Sequence, residues 1–270
     1  MMIDRIQRVG GHLLLGATAL VCAFPIYWLF ATSLRRPQDV SSLAPLPWPL
    51  STANYADAVD KVDLPRLLWN TFLMAAGSAA GQLLIALLAS YAFAMYTFPF
   101  QRLLYLAFVG TWLVPFQVSM LPNYLLLSRL GLLDTLVGTV LPTLCSALAI
   151  LLLRQHMAAF PKELVAAARV DGRSSWSILW TVVVPNLRPA LAALGILLFI
   201  NAWNEYFWPA IVLRRSNAVV QLGLRSFMGT EGEQWGPLMA VAGAACLPVL
   251  LLYLVLQRQI VDGFVRSGLK

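Results

Sequence analysis

An all-α integral membrane protein of six transmembrane helices, with a long cytoplasmic loop between spans four and five, is the fold class that this sequence predicts. Three observations predict it. Hydrophobic residues fill 60% of the 270 positions and charged residues only 11%, whereas soluble domains carry about 25% charged residues. The mean hydropathy is +0.74. A soluble fold of this length leaves about a quarter of its unfolded-chain surface in water, more than so few polar residues can cover. Apolar stretches long enough to cross a bilayer also recur along the chain, and nothing alternates with period two, which argues against a barrel.

The first stretch, His12–Leu34, follows Arg5 and Arg8. It exceeds the roughly 7–15 apolar residues of a cleaved signal and reads as a retained span. A polar, Pro-rich segment, Arg35–Arg66, then lies outside the cell. The second span, Leu67–Tyr96, is longer than a bilayer requires, and its Gly77-Ser-Ala-Ala-Gly81 stripe of small residues suits helix packing. The third, Leu103–Leu126, contains Pro115, a kink point that exposes Gln117, Ser119 and Asn123 to a cavity or to neighbouring helices. Thr135–Leu153, Pro189–Leu213 and Pro237–Gln257 complete the six. With both termini cytoplasmic, eleven Lys and Arg fall on the inner side and eight on the outer, the sign that the positive-inside rule requires.

The net charge of +7 comes from 16 Arg and 3 Lys against 12 acids. These bases sit between apolar segments and never form a run, so they read as flanks of spans and not as a nucleic-acid surface. Cys22, Cys145 and Cys246 lie inside apolar segments without metal spacing and read as buried small apolar residues. His12 and His156 are isolated, and no metal is assigned.

Residues 154–188 carry the strongest local signal. Pro161 suits a first helical position, Lys162 to Val170 are good helix formers, and Asp171-Gly172 is a stop and turn. A second apolar segment, Trp176–Val184, ends at Pro185. Two short helices joined by a tight turn follow. Ala166, Ala167 and Ala168 offer small side chains, which suit close approach to a protein groove better than anchoring in lipid.

This loop resembles the EAA loop of type I ABC importer permeases. With the motif's two alanines at Ala167 and Ala168, its glycine falls on Gly172, its isoleucine on Val182, its leucine on Val184 and its proline on Pro185. The leading glutamate is replaced by Ala166, and Glu163, one turn earlier, is the candidate substitute. Leu121 to Thr135, Phe199 to Pro209, and the ending with Gln257-Arg258, Gly263, Gly268 and Lys270 resemble further segments of the carbohydrate branch, of the small permease of maltose-type transporters. The resemblance implies a coupling-helix loop, with Glu163, Ala166, Ala167, Ala168, Arg169, Asp171, Gly172 and Pro185 as ATPase-coupling residues. It implies an organisation into residues 1–66 (tail, first span, external loop), 67–257 (transmembrane domain) and 258–270 (cytoplasmic tail).

It also implies partners in the plasma or inner membrane. These are a second homologous permease, two ATP-binding subunits and an extracytoplasmic solute-binding protein that delivers a sugar. No P-loop motif occurs in the sequence, so ATP and Mg²⁺ are expected on the partner ATPases, with no cofactor and no catalytic residue in this chain. The translocation path is expected along Gln117, Ser119, Asn123 and the fifth-span cluster Asn201, Trp203, Asn204, Glu205, Tyr206 and Trp208. An acid at a bilayer centre costs roughly 2.5–3.5 kcal/mol on insertion scales, so Glu205 should face protein or water. The alternatives for this cluster are helix–helix bonding and an interfacial aromatic belt. Two rival functions remain open on sequence: import of glycerol 3-phosphate or a glycerophosphodiester, and an ion-coupled secondary carrier using Glu205.

Overall fold

The structure is a computed structural model that describes residues 2–214, 217–229 and 232–268, with side chains described over 10–214, 217–229 and 234–257. Among the described residues, three helices are long and apolar enough to cross a membrane unbroken: Gly10–Ser33 within α1 (Met2–Ser33), α3 (Leu64–Met95), and Trp235–Gln257 within α14 (Trp235–Gly268). The first, second and sixth spans read from sequence correspond to them within a few residues.

The other three are broken, the third at the expected kink of Pro115 and the fourth and fifth at breaks not expected. The third stretch divides into α4 (Gln101–Trp112) and α5 (Phe116–Arg129), bent by 95°. Pro115 stands at the break as the residue before α5, where its missing N–H is no loss. The fourth is Leu136–Thr143, which begins with α6 (Leu136–Val140), followed by α7 (Ala147–Ala158) at 52°. Ser146 starts α7 by accepting the Ala149 N–H at 3.3 Å. The fifth is α11 (Arg188–Trp203), bent by 83° from the preceding Ser175–Asn186 run. It stops before Glu205, and two separate short helices, α12 (Phe207–Val212) and α13 (Val220–Arg225), follow. Six membrane crossings result if each bent pair is one span. Hydropathy sums apolar residues and is blind to a break between them.

The chain forms two compact units, Met1–Leu67 with Gly223–Pro248, and Leu68–Leu222 with Val249–Lys270. In the first, α2 (Ala53–Val62) is tied to the end of α1. The buried Asn54 amide donates to Ser33 O at 3.1 Å and Arg35 O at 2.8 Å. Arg35 is itself only 2% exposed. It lies 4.6 Å over the Trp28 ring and donates to the Ser42 and Ala44 carbonyls, which folds the Pro-rich segment around it. Beside it, a hollow of about 340 Å³ is bordered by Arg36 and Trp48. The last turn of α2 carries Lys61, whose ammonium donates to Gln234 Oε1 at 3.0 Å and lies 5.0 Å over the Phe227 ring. At the other end of the chain α14 reaches Gly268, and Lys270 lies outside the described residues.

The second unit holds two cores. One joins the end of α3 to α7 and to the 154–188 loop through Leu87, Tyr91, Ile150, Leu153, Ile178 and Leu179. The other gathers Met74, Leu127, Trp208 and Val212. Gly77 and Gly81 face Val140 and Leu144, so the small-residue stripe serves helix packing as expected. The three cysteines depart from their reading. All are exposed on the chain, because in a bilayer an apolar side chain has no need of a protein interior.

Candidate functional site

The 154–188 loop folds as two short helical segments joined by a tight turn. α8 (Lys162–Val170) starts after Pro161, which takes the cap position and not the first helical one. Its end is a Schellman motif. Arg173 N donates to Ala168 O at 3.1 Å and Gly172 N to Arg169 O at 3.0 Å, and Gly172 takes φ +76°, the left-handed conformation that glycine adopts without strain. The chain then enters α9 (Ser175–Ile178), capped by Ser174. A π-turn, Leu179–Val183, leads into α10 (Val184–Asn186). The helical run therefore passes through Pro185, which the sequence reading takes as its end. The wider π-turn relieves the contact between a proline ring and the preceding turn.

Helical spacing divides α8 into two faces. Val165 and Ala168, three apart, are 4% and 6% exposed and join the core. Glu163, Leu164, Ala166, Ala167 and Val170 point outward, with Val170 87% exposed. Of the three alanines expected to enter a groove, Ala166 and Ala167 are presented and Ala168 is spent on internal packing. Asp171 is exposed at the C-cap. Arg169 turns back, its guanidinium 5.6 Å from the Tyr96 ring centre. Tyr91 OH donates to Ser175 O at 3.2 Å. The loop is thus clasped to the end of α3 while its outer face stays open.

A cavity of about 160 Å³ lies within the second unit. Ser78 and Gln82 of α3 border it, with Thr139, Thr143 and Ser146 from the fourth segment and Asn201, Glu205 and Trp208 from the fifth. The Glu205 carboxylate accepts the Trp208 N–H at 3.3 Å, closing the first turn of α12. Trp208, 1% exposed, donates its indole N–H to Thr139 O at 3.1 Å and stacks edge-on to Phe116 at 5.6 Å.

Of the expected path residues, the cavity gathers Asn201, Glu205 and Trp208. Trp203 is 2% exposed and stacks on Phe199 at 5.6 Å. Asn204 bonds back to Ile200 O at 2.9 Å, and Ser119 to Phe116 O at 2.8 Å. Tyr206 packs on Phe207. None of these four, nor Gln117 or Asn123, borders the cavity. Ser78, Gln82, Thr139, Thr143 and Ser146 escaped sequence reasoning, since lone hydroxyls and a single amide in apolar helices carry no spacing signal. Among the described residues, no group of three or more His, Cys, Asp or Glu is placed to hold a metal ion.

The family model described as "Binding-protein-dependent transport system inner membrane component" matches residues 5–266. The chain is 33% identical to the sn-glycerol-3-phosphate transport system permease protein UgpE of Agrobacterium fabrum, covering 97% of each chain. It is 32% identical to the lactose transport system permease protein LacG of Rhizobium radiobacter, again over 97% of each. Its fold is similar to a chain in the crystal structure of a bacterial ABC transporter involved in import of the acidic polysaccharide alginate. The TM-score is 0.82 at 26% identity, covering 94% of this chain and 96% of that one.

Proposed function

This chain belongs to the family of binding-protein-dependent transport system inner membrane components and is the permease of an ABC importer, and from that premise we propose that its cargo is a sugar or oligosaccharide. The observation that carries the cargo class is the cavity lining, where hydroxyl, amide and aromatic groups converge. Such groups bind sugar hydroxyls and ring faces. The lactose permease among its relatives fits the same reading. The glycerol 3-phosphate permeases favour a second one, a phosphorylated polyol. Family membership sets the ion-coupled carrier aside.

In the proposed mechanism the chain pairs with a second permease, and two ATPase subunits dock on the loops. The outward face of α8, with Ala166, Ala167 and Val170, enters a groove on the ATPase, and Glu163 supplies the carboxylate that Ala166 lacks. Closure of the ATPase dimer on ATP displaces the loop, and the clasp through Arg169, Tyr91 and Tyr96 passes that movement to α3. The spans open outward to a solute-binding protein and then inward. The chain transmits work and makes no covalent bond. The complex purified with its ATPase should hydrolyse ATP and take up the sugar held by its delivery protein. An intact, hydrolysing complex that takes up no sugar from any such protein would defeat the cargo assignment.

Two expected results test parts of this reading. With both termini and the loop cytoplasmic, Ser174→Cys, in a chain whose three native cysteines are alanine, should resist an impermeant thiol reagent in sealed cells and react after lysis. Efficient labelling before lysis would reverse the orientation. Glu205→Gln keeps an oxygen able to accept the Trp208 N–H, so sugar uptake should fall by less than about tenfold, or roughly 1.4 kcal/mol. Complete loss of uptake from an assembled complex would assign the charge an essential role in transport.

A further inference from the structure

We propose that the cavity is a subsite for one ring of an uncharged polyhydroxylated substrate, and that Glu205 bars phosphate- and carboxylate-bearing solutes from it. This rests on the importer reading above and goes beyond it in naming the charge class that the site accepts and the residue that decides it.

Thr139 Oγ1 donates its proton to Leu136 O at 2.6 Å, and Thr143 Oγ1 donates to Val140 O at 2.8 Å. Each hydroxyl has spent its hydrogen on its own helix and has only lone pairs left for a ligand. Glu205 is an acceptor when ionised. Gln82 and Asn201 can present either amide end. Thr139, Thr143 and Glu205 thus offer acceptors while Ser146 keeps a hydroxyl hydrogen to donate, and among the described lining residues none is Lys, Arg or His. A sugar ring brings a hydroxyl donor at nearly every carbon. A phosphate or carboxylate brings acceptors and a negative charge, and meets a carboxylate.

One feature pulls the other way. The N-terminus of α7 begins at Ser146, on the cavity wall. A helix N-terminus acts as about half a positive charge, and here Ser146 Oγ already satisfies one of its N–H groups. Glu205 stands against it in the same lining. Size agrees with a single ring. A water needs roughly 10–15 Å³ of such a hollow, so about 160 Å³ has room for on the order of ten waters.

Charged thiol reagents read this property without knowledge of the natural cargo. The purified complex would carry Thr143→Cys in a chain whose native cysteines are alanine. Reaction rates with 2-trimethylammonioethyl and 2-sulfonatoethyl methanethiosulfonate would be normalised to those of free cysteine. We expect the cationic reagent to be favoured by roughly tenfold or more, as a carboxylate nearby at low dielectric requires. Glu205→Gln should bring the ratio to within about threefold of unity, and Glu205→Asp should preserve it. Equal normalised rates with Glu205 present, a ratio indifferent to Glu205→Gln, or failure of the cationic reagent to reach the site would overturn the proposal. So would uptake of labelled glycerol 3-phosphate by the native complex. That last result would leave the importer assignment standing, whereas a complex that never couples to an ATPase would undermine the importer assignment and not the measured charge selectivity.

Discussion

Gly172→Val and Ala167→Asp are expected to leave the chain inserted and assembled with its partner permease, yet to lower uptake per ATP by more than tenfold. The two act differently. At Gly172 space is open, with nothing within 4 Å of an added Cβ. The cost is the backbone angle of φ +76°, which a β-branched residue resists by about 1–2 kcal/mol. Relief of that strain opens the Schellman turn and swings α9 relative to α8. Ala167 has ordinary helical geometry and an exposed side chain. Substitution there should be harmless in the isolated chain and damaging only when docked, where an unpaired buried charge costs about 3 kcal/mol or more, roughly a hundredfold in affinity. Gly172→Asn is the control, because asparagine tolerates the left-handed region. Co-purification with the ATPase, hydrolysis and uptake should be measured on the same preparations. Normal transport by both Gly172→Val and Ala167→Asp would remove the docking assignment. Glu163→Ala should weaken docking more than Asp171→Ala, since Glu163 lies on the outward face and Asp171 at the cap.

Gly138→Ala should have the largest effect on stability. An added Cβ would stand 2.2 Å from Leu132 O and 3.1 Å from Thr135 Oγ1. The first atom is backbone and cannot rotate away. Thr135 meanwhile caps α6 by accepting the Gly138 N–H at 3.0 Å, and donates to Leu132 O at 2.8 Å. One methyl therefore forces open the turn that carries Asp134, whose carboxylate accepts the Arg214 N–H at 2.8 Å and whose N–H donates to Val212 O at 2.9 Å. Overpacking costs about 1–3 kcal/mol and loss of a cap about 1 more. The solubilised variant complex should lose its fold several degrees below the native one in a thermal-shift assay. An unchanged midpoint would show that the turn can yield without penalty.

Some of this was legible in the sequence and the rest was not, for reasons that particular residues show. Gly172 after a run of helix formers marks a stop, and the Schellman turn forms there. Long apolar stretches locate α1, α3 and α14 because lipid imposes length and composition together. Pro115 marks the break in the third stretch, because proline is a kink signal, whereas the breaks at Ser146 and Leu187 carry no such mark and both sides of each remain apolar. Ala168 was misplaced with its neighbours because three alanines look alike in sequence, while Val165, three residues back, fixes which face is inward. The cavity was legible only at Asn201, Glu205 and Trp208, where polar and aromatic residues crowd together. Ser78, Thr139 and Thr143 come from segments far apart in sequence, and only the packing of Gly77 and Gly81 on Val140 and Leu144 brings them to one place.

The 83° bend between Ser175–Asn186 and α11 makes the pair a bell crank. The short arm is about 18 Å long and the α11 arm about 24 Å, at 1.5 Å per residue. A sideways displacement of about 3 Å at the tip of the short arm twists α11 about its axis by roughly 10°, which carries a side chain at the usual 5–6 Å radius only about 1 Å. The same displacement directed along the short arm instead tips α11 about its middle, and the far end, where Asn201 sits, travels about as far as the tip. The mechanical advantage therefore favours thrust along the loop helix over sideways sweep by about threefold. Thrust along Ser175–Asn186 is the direction in which this bend passes most movement to α11.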